Sequence, residues 1–364
     1  MADQKPLQLG QNSLKDVCAE QGEPFVPVSP GDNDLVRTLN SPRGPVQLPY
    51  RATAMFCGRV RDAVIFGRSY VTHKAGTAVF LGQSPRDYDV QEFANYYVGE
   101  IMLDQRPRPQ ITEECCYLGG LSGEVKFFGH FIHEFLYRLP AFERAGVLHK
   151  FPLVVHEEIE DEWLSFIELY GVPRERIIRV PRLPAAHYKS VWVTPCPNVK
   201  TKATYALWDE GIHDVRRKLL SQTEGAGADK IFIGRGNAKH RRLVNEGELW
   251  NFLKGRGFVS LDFMGMSAKE QIKLVKSAKV IVAVAGSAMV MTHFAPENCA
   301  IIELCPAHLL GGLGSLGFAG VIGQSYCRVI TEVLGEKAGL LNDMKVDMNV
   351  VRATVEDELR RQGI

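Results

Sequence analysis

The stretch that decides the fold is 230–249, KIFIGRGNAKHRRLVNEGEL. A short apolar run ends at Gly234, a polar loop follows, and Asn245-Glu246 opens a segment with helical spacing. Run, loop and periodic segment together read as a strand feeding a helix. The pattern continues downstream: GFVSLD as a strand, 267–277 as a helix, KVIVAVAG as a strand, then a short helix and the strand AIIELCP. Ser267 and Glu270 make an S-x-x-E capping box, a local start signal for the helix between them and Ser277. Alternation of this kind predicts a parallel sheet with crossover helices.

Upstream the same alternation appears as FPLVVH, DEWLSFIELYG, RIIRV and SVWVTP. Two α/β units joined by a hinge imply a ligand cleft. Residues 1–44, polar and rich in Gly, Pro, Asn and Asp, are expected to be a loosely ordered leader. An N-terminal α/β domain then covers 45–199 and opens with short β runs (AVIFG, TAVFL). Residues 200–228 read as a long linking helix to Gln222 followed by the hinge TEGAGAD. A second α/β domain spans 229–334, and 335–364 is a tail expected to pack back on the first domain.

Composition sets the outer limits. A chain of 364 residues fits two ordinary domains, and 45% hydrophobic with 23% charged residues is globular. Lys+Arg (43) against Asp+Glu (42) leaves a net charge of +1, which argues against a nucleic-acid partner. Any site for a phosphorylated ligand must therefore be a local cluster of positive charge. The eight cysteines include no C-x-x-C pair and read as reduced, mostly buried thiols. The first residues lack the form of a signal peptide, and the longest apolar stretch, 280–291, is too short to span a bilayer. A cytoplasmic protein is the expectation, with association at the inner face of the membrane compatible with it.

Such a cluster of charge exists in the opening stretch. Arg235, Lys239, Arg241 and Arg242 lie in the loop after the strand, where α/β folds place ligand contacts. The planar guanidinium fork suits phosphate oxygens. On composition alone a solvated basic loop explains the cluster equally well. In 129–139, GHFIHEFLYRL, the spacing puts His130, Glu134 and Arg138 on one helical face. Glu134 or His130 there could serve as the base that deprotonates an acceptor hydroxyl; a polar stripe facing solvent is the plainer reading. In VIVAVAGSAMVMTHFAP, Gly286 and Ser287 are small enough to let a ligand approach the backbone, or simply to let strand and helix pack closely. Glu303, at the end of AIIEL, could accept ribose hydroxyls or cap a helix. Gly312–Gly317 formally matches G-x-G-x-x-G but does not follow its strand directly, and reads as a loop rather than a dinucleotide site. Asp32–Asp34 and Asp87–Asp89 have the D-x-D form in turn-like contexts and arise easily by chance.

In their order, GHFIHEFLYRL, IFIGRGNAKHRRLVNEGEL, SAKEQIKLVKSAKVIVAVAGSAMVMTHFA and AIIEL resemble glycosyltransferase family 61, whose bacterial members are often labelled capsular polysaccharide biosynthesis proteins. The resemblance implies a GT-B-like α/β fold, two Rossmann-like domains facing across a cleft, here with an N-terminal β-rich decoration. It implies inverting transfer from a nucleotide-sugar co-substrate to a glycan, lipid-linked or other hydroxyl acceptor, with no obligatory metal and no further cofactor. By position it assigns Arg235 and Arg241 to the donor diphosphate and Asn245 and Glu246 to shaping that loop. Gly286 and Ser287 would lie against the nucleotide, Glu303 near its ribose, and Glu134, or second His130, would be the base. Ala285 and Met291 stand where many members have His and Asn. Those departures admit an alternative, a non-catalytic nucleotide-sugar-binding protein of the same fold.

Overall fold

The computed structural model describes residues 10–29, 33–39, 41, 44–52, 54–66, 70–74, 77–80, 109–119, 127–180, 186–195, 198–200, 205–236, 238–309, 314–335 and 342–364. Asp32, the Asp87–Asp89 segment and Gly312-Leu313 lie outside them. The chain divides into two compact units, Met1–Asn33 with Arg51–Val215, and Asp34–Tyr50 with Arg216–Ile364.

In the first unit a helix, α1 (Leu14–Gln21), is capped by Ser13, whose side chain accepts from the Asp16 N–H. Strands β1 (Phe56–Phe66), β2 (Cys115–Tyr117), β3 (Leu153–His156), β4 (Ile177–Val180) and β5 (Ala186–Val193) share one sheet. Its parallel half runs β5-β2-β3-β4, and α2 (Asp161–Tyr170) is the crossover between β3 and β4. Its other half is antiparallel: β5 pairs with β1, which continues into the hairpin strands Tyr70–Lys74 and Thr77–Phe80. The β-rich opening is thus fused edge-on to the α/β sheet. The expected loose leader is corrected in part. Leu14, Val17 and Cys18 on one face of α1 are fully buried in the sheet's core beside Val60, Tyr117 and Val191. Their i, i+3, i+4 spacing is the apolar stripe of a core helix, and burial of that stripe orders the segment.

The expected linking helix is shorter than its sequence suggests. Strands Asn198–Lys200 and Tyr205–Leu207 pair with each other, and among the described residues of this span the helix is α3 (Asp209–Ser221).

The second unit is a doubly wound sheet. Its strands are β6 (Lys230–Ile233), β7 (Val259–Leu261), β8 (Val280–Val284), β9 (Ala300–Pro306), β10 (Ser325–Leu334) and β11 (Asp343–Lys345), in spatial order β7-β6-β8-β9-β10-β11. All neighbours are parallel except β10 and β11. Helices α4 (Glu246–Lys254) and α5 (Ala268–Val275) supply crossovers, and α5 carries the complete Ser267–Glu270 capping box. α6 (Gly314–Ile322) connects β9 to β10. The tail is not an appendage of the first unit. Its helix α7 (Met348–Gln362) buries Val351, Val355 and Leu359 among Phe232, Val282 and Ile302 of the second sheet. Those residues stand four apart on one face, and that face finds apolar β6, β8 and β9 beneath it.

Candidate active site

The strand order fixes where the second unit can hold a ligand. β6 precedes β7 and β8 in sequence but lies between them, so connections leave β6 and β8 toward opposite faces. The crevice outside the carboxyl ends of such a strand pair is where doubly wound sheets bind their ligands. Arg235 follows β6 and Gly286 follows β8, and the two meet there. The Arg235 guanidinium donates to the Ala285 carbonyl (3.4 Å) and to the His240 carbonyl (3.1 Å). A Cβ on Gly286 would collide with the Arg235 guanidinium, so only glycine leaves that side chain where it is. Its φ of 176° is ordinary extended backbone. Glu246, at the start of α4, reaches back to accept the Arg235 backbone N–H at 3.0 Å, and its carboxyl fills the room left by Gly234.

Arg241 completes the loop with a left-handed backbone, φ +58°. Burial lowers the pKa of both Arg235 and Arg241, and for Arg235 the charge on Arg241 pushes the same way, partly offset by Glu246. Guanidinium stays protonated regardless, so the shifts reflect mainly the cost of desolvating each cation, with Arg241 adding to it at Arg235. Arg235 Nε and Arg241 Nε are buried donors with no acceptor among the described residues. Charges buried without anionic partners cost free energy that an anion with several oxygens recovers.

In the first unit GHFIHEFLYRL is helical but segmented. One α-turn (Phe128–His130) leads to a π-turn (Phe131–Phe135), a 3₁₀ turn (Leu136–Arg138) and a final α-segment (Leu139–Arg144). Pro140 explains the break: it offers no N–H, and its ring would press on the carbonyl four residues earlier. The turn before it opens, and π-turns are frequent at functional sites. His130 Nδ1 and Glu134 Oε1 are 2.5 Å apart, with side-chain exposures of 39% and 12%. Arg138 turns inward, is 1% exposed, and donates to the carbonyls of Gly119 and Thr194, just past β2 and β5. The stripe expected to face solvent is therefore a buried anchor at one end and a partly open His–Glu pair at the other. Burial pushes the pKa of His133 down to about 3, helped by His130 nearby.

Residues 128–302 match the family model described as Glycosyltransferase 61. This segment belongs to glycosyltransferase family 61. Curated proteins offer no significant match to the chain. The family 61 segment holds the His130–Glu134 pair, Arg235, Arg241 and Gly286, and ends in β9 one residue before Glu303.

Of the other residues singled out by sequence, Ser287 begins a 3₁₀ turn (Ser287–Phe294) after Gly286 and is partly open. Ala285 takes part through its backbone, and Met291 is fully buried. Asn245 does not cap α4; its amide clamps both the N–H and the carbonyl of Val346. Arg242 is exposed and forms a bidentate pair with Asp343. Lys239 and His240 are exposed. Glu303 is 4% exposed and engaged: one carboxylate oxygen accepts from the Tyr326 hydroxyl and from Arg328 Nε at 2.6 Å. Glu303 and Arg328 lie directly opposite in β9 and β10. Burial, and then the Glu303 carboxylate, raise the Tyr326 pKa well above its usual value, while Arg328 pulls the other way. A ribose contact by Glu303 would compete with these partners. Sequence reasoning missed Arg328, Tyr326 and Asp343, because nothing in a linear chain announces a cross-strand partner 23 to 101 residues away.

Proposed function

We propose that the protein is an inverting, GT-B-like glycosyltransferase that moves a sugar from a nucleotide-sugar donor to a hydroxyl of a glycan or lipid-linked acceptor, in polysaccharide biosynthesis in the cytoplasm. Family 61 membership supports sugar transfer. The observation that carries the donor site is the Arg235–Arg241 pair at the strand switch point, with two buried Nε donors that lack an acceptor among the described residues. In the proposed reaction a base removes the acceptor proton as its oxygen attacks the anomeric carbon. The bond from that carbon to the donor phosphate breaks, and the diphosphate leaves with the electron pair. Arg235 and Arg241 take up that growing charge, as a metal ion does in other transferases. Ser287 and the backbone beside Gly286 lie against the nucleotide, with Asn245 and Glu246 holding the loop.

For the base, the geometry favours His130 as the group that meets the acceptor, with Glu134 orienting it, because His130 is the more open of the bonded pair. Direct action by Glu134 is the other reading. Nucleotide-sugar turnover with folded variants separates them. Arg235→Ala should cost ~2–4 kcal/mol of barrier, like loss of one oxyanion donor. A folded Arg235→Ala enzyme of full activity would falsify the donor site. Glu134→Gln should abolish transfer if Glu134 is the base. If it orients His130, activity persists at a reduced level and His130→Ala is the dead variant. Nucleotide binding with neither hydrolysis nor transfer in the wild type would instead support the non-catalytic binding protein.

A further inference from the structure

Beyond the family segment, the chain from Asp343 to Val346 is laced to the basic loop. Asp343 accepts from the Arg242 N–H (2.9 Å) and holds the Arg242 guanidinium through two nitrogens (2.6 and 3.1 Å). The Met344 N–H donates to the Arg242 carbonyl (2.8 Å), and the Val244 N–H to the Met344 carbonyl (2.8 Å). Asn245 then closes on Val346 with two bonds, of 2.8 and 3.1 Å. Leu243 and Met344 are buried together beneath this ladder. The ladder begins at the residue after Arg241. Among the described residues only Asp62 and Arg241 are non-glycines at positive φ. Such backbone is strained for a side-chain-bearing residue and persists only where surrounding structure over-determines it.

We propose that Asp343 is a positioning residue for anion binding: the Asp343–Val346 arm locks Arg242, and so holds Arg241 in the left-handed conformation that aims its guanidinium beside Arg235. The inference rests on the donor-site reading above. It also runs against the simple electrostatic expectation. Asp343 is an anion near a cationic site, so by charge alone its removal would tighten phosphate binding. Through geometry, its removal frees Arg241 to relax and weakens binding.

The test is calorimetric titration of inorganic pyrophosphate, and of UDP and GDP, into the full chain. Arg241→Ala, Asp343→Ala, Asp343→Asn and the Arg241→Ala/Asp343→Ala double variant are compared with wild type. Asp343→Ala should weaken binding by about tenfold, within the range of coupling between neighbouring groups, and the double variant should bind no worse than Arg241→Ala alone. Asp343→Asn keeps an acceptor for the Arg242 N–H and should recover most of the affinity. Unchanged or tighter binding by Asp343→Ala, while Arg241→Ala binds weakly, overturns the positioning role and spares the donor site. An additive loss in the double variant also overturns it. Full binding by Arg241→Ala sinks the donor-site reading and this inference together. Should Asp343→Ala fail to fold, Arg242→Ala carries the comparison, with the same directions expected.

Discussion

Single residues shape the proposed donor site by the space they leave and the bonds they make. Gly286 is the clearest case. Sequence alone suggested small size for a ligand or for packing; the structure gives that space to the side chain of Arg235. Because the Gly286 backbone is extended, alanine would be conformationally neutral there, and its methyl group would act only by displacing the guanidinium. Gly286→Ala should therefore leave stability within about 0.5 kcal/mol of wild type, the range of a benign substitution, while nucleotide affinity falls markedly. Titration of UDP or GDP beside a thermal melt checks both halves, and undiminished affinity would remove Arg235 from the site. Arg235 and Arg241 were legible as a cluster of charge in a nearly neutral chain. Glu303 was legible only as a carboxylate at a strand end. Its commitment to Arg328 and Tyr326 depends on the β9–β10 register, which no local pattern encodes.

Among elements, the segmented helix shows what periodicity can and cannot say. Apolar residues at 127, 128, 131, 132, 135, 136 and 139 predict a helix, and the helix is there from Phe128. A π-turn leaves the hydrophobic spacing almost unaltered, so only Pro140 hinted that the helix changes character. Burial of the His133 ring nitrogen Nε2 has a measurable result. With a folded pKa near 3 against about 6.5 unfolded, the native state binds fewer protons than the unfolded chain between those values. Stability must then fall as pH drops below about 6.5, by about 2 kcal/mol at pH 5 from this group. Denaturant midpoints measured at pH 7 and pH 5 should show the decline in wild type and a shallower one in His133→Gln. Equal slopes would mean that His133 protonates freely in the folded protein.

At the scale of the whole molecule, the alternation of strands and helices was readable because β-branched runs and 3.6-residue spacing are local properties. Strand order was not, since any apolar strand can pair with any other in the chain. The same indifference hid the home of the tail: Val351, Val355 and Leu359 declare an apolar face but not the sheet that receives it. A chain stopped after Leu334 would leave that sheet face bare. With ~1.5–3 kcal/mol lost per buried aliphatic side chain, the second unit should not fold. Circular dichroism and cooperative melting of the truncated chain report this directly, and a sharp native-like transition from the second unit would refute it. All seven cysteines among the described residues are free, with Cys115 and Cys305 each held by burial up to about 12, as expected of thiols that stay protonated. The packing of α7 also sets a schedule for synthesis. Phe232 leaves the ribosome long before Leu359, the residue it shares a core with, and at ordinary elongation rates the interval is on the order of 10 s. Through that interval the nascent second unit presents a bare apolar sheet face, the kind of surface that chaperones cover.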